Sequence, residues 1–271
     1  MRLLSHFTLI PHILLSILCV SNCYFNPILQ KFVFTEPEKE NSLLQGLSLL
    51  SVPSGPFALS ITGQIRNENG STVTDALLTV TSRTYELDGL DTTATTDEGG
   101  RFFIRLASGT TTFAVSQEGS PYFIFKLQVN SPTDIQVVEI SDNSFPVEVG
   151  SFVPYEPGNQ PSFFELIDSD PQNQSTTQVG PSALYFYFTA PVFPPNQGQV
   201  ATWLNQNFST SPSLSLSSIS FEGNSLYILT SGYSSQTTTY TITLGPGIIS
   251  ETGIPLSPRT ISFTCEFPCG L

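Results

Sequence analysis

From residue 57 onward, apolar side chains recur at every second position in short runs. Leu59, Ile61 and Ile65 alternate with Ser60, Thr62 and Gln64. Ala76, Leu78 and Val80 follow, then Phe102, Ile104 and Leu106, then Phe113 and Val115, and finally Phe123 to Val129 and Ile135 to Ile140. A period of two is the signature of a strand with one buried face. Turn signals separate the runs: Asn67-Glu68-Asn69-Gly70, Asp97-Glu98-Gly99-Gly100, Ser108-Gly109 and Gln117 to Pro121. Short strands with a turn about every ten residues predict a β-sandwich. A second set begins where Leu184, Phe186 and Phe188 alternate with Tyr185 and Tyr187. It continues through Leu214–Leu216, Ile219–Phe221, Leu226–Ile228, Tyr240–Leu244 and Ile261–Phe263, with a hairpin turn at Glu222-Gly223-Asn224-Ser225. The chain is therefore predicted to be all-β, with two tandem sandwiches.

The first residues break this pattern. A basic start, MRLLSHF, precedes the apolar run Thr8 to Val20, which has the length of an export leader. No later stretch of about 20 apolar residues exists to span a bilayer. Val20-Ser21-Asn22-Cys23 resembles a lipobox, and its Asn22, in place of Gly, Ala or Ser, is similar to the relaxed lipoboxes of spirochaetes. That resemblance implies cleavage before Cys23, palmitate-type acylation of its thiol and tethering to a bacterial outer membrane. Tyr24, where Asp would signal inner-membrane retention in some bacteria, points the same way. Ordinary cleavage nearby, giving a free secreted protein, is the rival reading. The expected organisation is a leader (1–22), a tether (23–56), a first sandwich (57–153), a linker with the first strand of the next domain (154–180), a second sandwich (181–265) and a tail (266–271). Within the tether, the Leu-rich Ser42 to Ser51 reads as a short helix or a docking strand.

Two further resemblances rest on motifs. Ile61-Thr62-Gly63-Gln64-Ile65, Asn69-Gly70, Asp75-Ala76, Thr96-Asp97-Glu98-Gly99-Gly100-Arg101-Phe102 and Leu106-Ala107-Ser108-Gly109-Thr110 resemble the carboxypeptidase regulatory-like domain. The resemblance implies a transthyretin-like sandwich that serves enzymes as an accessory module. Thr237 to Ile242, Gly247-Ile248-Ile249, Gly253-Ile254-Pro255-Leu256 and Ile261 to Thr264 resemble the bacterial Ig-like domain. Tyr187 to Val192 fits that family's early strand, although Thr252-Gly253-Ile254 stands where an Asp or Asn is common before the Pro.

Charge narrows the partners. Lys and Arg total 9 against 22 Asp and Glu, a formal net charge of −13. Such a chain lacks the electrostatic attraction that dominates nucleic-acid binding. No Lys or Arg lies between Lys126 and Arg259, so the second half carries its polar face mostly on hydroxyls and amides, a surface that binds little electrostatically and suits sugar or protein contact or simply water. Trp203, Phe208, Tyr185, Tyr187 and Tyr227 are candidates for an aromatic contact surface. They are equally at home in a sandwich core. The stretch 193–213 lacks clean periodicity and reads as a long loop that carries contacts.

Catalytic chemistry finds no foothold. Both histidines, His6 and His12, fall in the leader, and no Gly-x-Ser-x-Gly elbow occurs. Asp88 with Asp91, or Asp168 with Asp170, are carboxylate pairs in predicted loops, where acidic residues are ordinary. Asp97 with Glu98, and Asp168 with Asp170 beside Glu165, are weak calcium candidates because neither set follows a calcium-loop spacing. No cofactor is otherwise expected. Cys265 and Cys269, in Cys-Glu-Phe-Pro-Cys-Gly, are candidates for a disulfide that would pin the tail after the last strand. Two thiols without a second pair or a histidine make a weak metal site. Sequons at Asn69, Asn173 and Asn207 matter only in a secreted eukaryotic chain. The expected function is a non-catalytic, membrane-anchored envelope or surface lipoprotein that binds or spaces. A purely structural envelope component and an accessory subunit of an enzyme complex are the alternatives.

Overall fold

In a computed structural model, residues 55–269 are described. The leader, Cys23, the tether through residue 54 and the last two residues lie outside the described residues, and so do the expectations that fall on them. The protein is all-β, as the alternation predicts. The first eight strands are β1 (Ala58–Arg66), β2 (Leu77–Arg83), β3 (Thr93–Thr95), β4 (Arg101–Ala107), β5 (Gly109–Gln117), β6 (Ser120–Ser131), β7 (Asp134–Ser141) and β8 (Glu148–Tyr155). They form a three-stranded sheet in the order β4-β1-β8 and a five-stranded sheet in the order β3-β2-β5-β6-β7. The Asp97 turn joins β3 to β4. Asp97 Oδ1 accepts from the backbone N–H groups of Gly99 and Arg101, which locks the loop. Gly100 sits there at φ +69°, and a Cβ at that position would lie 2.5 Å from the Ile65 carbonyl oxygen. Only glycine meets both demands without strain.

The first core lies between these two sheets. Ile61 and Ile65 of β1 and Phe102, Ile104 and Leu106 of β4 face Phe113 and Val115 of β5 and Phe123, Phe125, Leu127 and Val129 of β6. Phe125 is at its centre. Its ring stacks on Phe113 at 4.7 Å between centroids and also meets Phe123 at 5.9 Å and Phe102 at 6.4 Å. The buried–intermediate alternation along β6 follows the sequence pattern residue for residue. β1 departs from it: Ser60, Thr62, Gln64 and Arg66, its polar face by sequence, are buried as well. β8 completes the three-stranded sheet, pairing with β1 from Ser60↔Tyr155 to Arg66↔Glu148.

The remaining elements are β9 (Leu166–Asp170), β10 (Ser175–Thr177), β11 (Ala183–Phe188), the helix α1 (Val200–Asn207), β12 (Phe208–Ser211), β13 (Ser215–Glu222), β14 (Ser225–Ser231), β15 (Thr238–Leu244) and β16 (Arg259–Cys265). Two four-stranded sheets result, β13-β14-β11-β9 and β10-β16-β15-β12. A second core of Leu184, Phe186, Phe188, Leu226, Ile228, Tyr240, Ile242, Leu244, Ile261 and Phe263 fills the space between them. The segment read as one long loop, 193–213, holds α1 and β12. Helix α1 is too short to be stable alone. It is held because Leu204 is buried in the second core and Trp203 packs on Phe208 and Phe221 at 5.8 and 6.0 Å between centroids. The polar stretch 168–180, read as linker, carries most of β9 and all of β10. β10 runs parallel to β16, and Asn173 Oδ1 accepts from the Ser262 backbone N–H at 2.8 Å.

Cys265 and Cys269 form a disulfide, both of them buried in the second core. The Cys269 carbonyl also accepts from the Gly180 N–H at 2.9 Å, so the bond ties the end of β16 to the segment leading into β11. Among the described residues, no helix is long and apolar enough to cross a membrane.

Candidate functional site

Two regions concentrate polar chemistry: the junction between the cores, and the outer face of the sheet β13-β14-β11-β9. At the junction, β1 ends with Arg66 and β4 begins with Arg101, and both reach across to Glu165, just before β9. The Glu165 side chain is 2% exposed, those of Arg66 and Arg101 2% and 4%. Glu165 Oε1 accepts from Arg101 Nε at 2.9 Å and Nη2 at 2.6 Å, and from Ser257 Oγ at 2.8 Å. Its Oε2 lies 3.6 Å from Arg66 Nη2. Other guanidinium donors are used too. Arg66 gives Nε to Gln64 Oε1 and Nη1 to the Gly70 carbonyl. Arg101 gives Nη1 to the Ser151 carbonyl, and its guanidinium carbon stacks 3.9 Å from the centroid of Phe163. Burial pulls the Arg66 guanidinium down to about 10, with Arg259 adding to the shift and Glu165 opposing it. Arg66 therefore stays cationic at neutral pH.

A second tier flanks this triad. Arg259 at the start of β16 makes a bidentate pair with Glu148 of β8, both contacts at 2.9 Å. Ser71 Oγ donates to Asp168 Oδ1 at 2.7 Å, and the Thr72 N–H to the Ile167 carbonyl at 2.9 Å. Three of the nine Lys and Arg thus converge on one seam, and each meets a carboxylate carried by a distant part of the chain. The two pairs on Glu165 are buried, and a buried pair offsets its desolvation cost only when its geometry is well satisfied, so breaking one costs more than forming it gains.

Acid should loosen the outer tier. The Glu148 carboxyl is held below its usual 4.5, chiefly because it accepts the Arg259 hydrogen bonds, while burial opposes this. A carboxyl depressed in the folded state contributes stability above its unfolded pKa and loses it as pH falls through the lower folded value. Glu148 is 53% exposed, so solvent screening keeps the contribution below about 1 kcal/mol. Urea unfolding at pH 7 and at pH 3 should show a smaller acid loss for Glu148→Gln than for the unaltered chain. An unchanged acid loss would refute that assignment. Asp97 works in the other direction: burial raises its carboxyl, so acid relieves a cost there.

On the outer sheet face, Tyr185 and Tyr187 of β11 are exposed, and the Tyr185 ring lies 5.6 Å from that of Tyr227 on β14. Tyr185 pairs across the ladder with Asp170 on one side and Tyr227 on the other, and Tyr187 pairs with Asp168. Beside them opens a groove of about 660 Å³ lined by Asp168, Asp170, Gln172, Ser175, Thr176 and Tyr187, among others. Of the aromatics singled out by sequence, Tyr185, Tyr187 and Tyr227 share this face. Phe208 does not: it is 4% exposed and packs on Phe186 in the second core, with Trp203 against it.

Among the calcium candidates, Asp97 and Asp168 each turn an oxygen toward hydrogen-bond donors of the protein, and Glu165 is taken up by arginines. Glu98 and Asp170 are exposed. Among the described residues, no group of three or more Asp, Glu, His or Cys side chains is placed to hold a metal. Sequence reasoning gave no site role to Arg66, Arg101, Glu148 or Arg259. The available signal was scarcity: in a chain with nine cations, an arginine at each end of a buried-strand pattern is unusual. In comparison with known proteins, the chain matches no family model and no curated sequence. The motif resemblances accordingly rest on the motifs themselves.

Proposed function

We propose that this protein is a non-catalytic lipoprotein of the bacterial envelope, anchored through an acylated Cys23, which presents a contact face on a stiff β scaffold. The observation that carries this reading is the seam of Arg66, Arg101 and Glu165. A desolvated ion triad tolerates little relative motion, because any separation would strand charge away from water. The tyrosine face of the second sheet pair is therefore held in fixed relation to the first pair, which suits spacing and display. The lipobox-like Val20-Ser21-Asn22-Cys23 supports the anchor. The transthyretin-like and Ig-like motif resemblances support a role in the envelope, since neither sandwich type needs a catalytic centre.

Cells expressing the chain should incorporate labelled palmitate into it, and a Cys23→Ala variant should lose both the label and the membrane association. Protease treatment of intact cells should then remove the folded part. Equal labelling of the Cys23→Ala protein defeats the anchor, and full protection from protease defeats display at the surface in favour of a structural role inside the envelope.

A further inference from the structure

We infer that the tyrosine face and its adjoining groove form a docking site for a cationic protein segment, one presenting Arg or Lys side chains. The inference rests on the binding half of the proposed function and not on the anchor. Its first support is chemical. Tyr185, Tyr187 and Tyr227 offer aromatic faces on one flat surface, and their ladder partners Asp170 and Asp168 place carboxylates on the same side. Directly opposed residues on one sheet face have Cβ atoms about 5 Å apart. A guanidinium lying over Tyr187 or Tyr185 would thus have an aspartate within reach, combining ring attraction with a charged hydrogen bond.

Its second support is the field around the site. From the start of β9 to residue 258 the chain carries Asp168, Asp170, Glu222 and Glu251 and no Lys or Arg. Among the residues that line the groove, none is cationic. The cations at the junction are each paired: Arg66 and Arg101, both buried, with Glu165, and the partly exposed Arg259 with Glu148. The groove thus carries carboxylates with no cation among its lining residues, which favours a basic partner over an acidic one. Gln172, Ser175 and Thr176 add hydrogen-bonding groups along the groove wall that can meet the backbone of an extended segment.

The test uses the full-length chain in detergent micelles and a fluorescent hexa-arginine peptide, followed by anisotropy at several salt concentrations. Binding is expected, weakening as salt rises. Asp170→Asn and Tyr187→Ala are each expected to lower affinity about two- to fivefold, the scale of an exposed ion pair or cation–π contact. Asp142→Asn and Tyr85→Ala, exposed residues elsewhere, should leave it unchanged. Far-UV circular dichroism of all four variants should match the unaltered chain. Equal losses from the control pair would reduce the effect to diffuse attraction and overturn the site. Absence of peptide binding would overturn it too, as would Tyr187-dependent binding of neutral chitohexaose in place of the peptide. None of these outcomes bears on palmitate labelling, so the anchored reading is judged separately.

Discussion

Glu165→Ala should cost the protein about 3–5 kcal/mol of stability, the usual penalty for removing one partner of a buried ion pair. The substitution leaves Arg66 and Arg101 facing each other across a desolvated gap, with Arg259 nearby to add to the repulsion. Ser257 Oγ loses its acceptor in the same step. Glu165→Gln keeps an oxygen for Arg101 but removes the charge, so it should recover only part of the loss. The consequence for coupling is as informative as the energy. Trp203 is the only tryptophan and packs against the second core, so its fluorescence follows that core alone, whereas far-UV circular dichroism follows both. In the unaltered chain the two signals should share one urea transition. In Glu165→Ala they should separate, because the seam that binds the cores together is broken. A change below about 1 kcal/mol with coincident transitions would show that the triad does not join the two cores.

A comparable loss is expected from Phe125→Ala, about 3–5 kcal/mol, and for a different reason. Phe125 is fully buried and contacts Phe102, Phe113 and Phe123, so its removal deletes transfer free energy and leaves a cavity between sheets that cannot close on it. Lys126, the next residue, points outward and pairs with Glu139 on the exposed face. Lys126→Ala should therefore change stability by less than about 1 kcal/mol. The contrast between neighbours, measured by urea denaturation, tests the alternation itself. Similar losses at both positions would mean that β6 is not a two-faced strand.

That alternation is what the amino-acid sequence determined by itself. Phe123, Phe125, Leu127 and Val129 point one way and Lys126 and Gln128 the other because successive side chains of an extended strand must diverge, whatever surrounds them. The turns at Asn69-Gly70 and Asp97 to Gly100 were equally local, since they depend on backbone angles open to glycine and on a carboxylate two to four residues from the N–H groups it accepts. Tertiary structure decided the rest. β1 shows why: its polar positions Ser60, Thr62, Gln64 and Arg66 alternate like a solvated face, yet they are buried. Helix α1 and strand β10 were invisible for the same cause, being held by Phe208, Phe221 and Ser262 rather than by their own pattern. Phe208 stood among the contact candidates beside Tyr185, and only its packing on Phe186 and Trp203 sends it inward. Glu165 meets Arg101 across 64 residues of chain. No period or spacing encodes which carboxylate will be stripped of water, because desolvation is a property of everything packed around a group, and that exists only once the chain has folded.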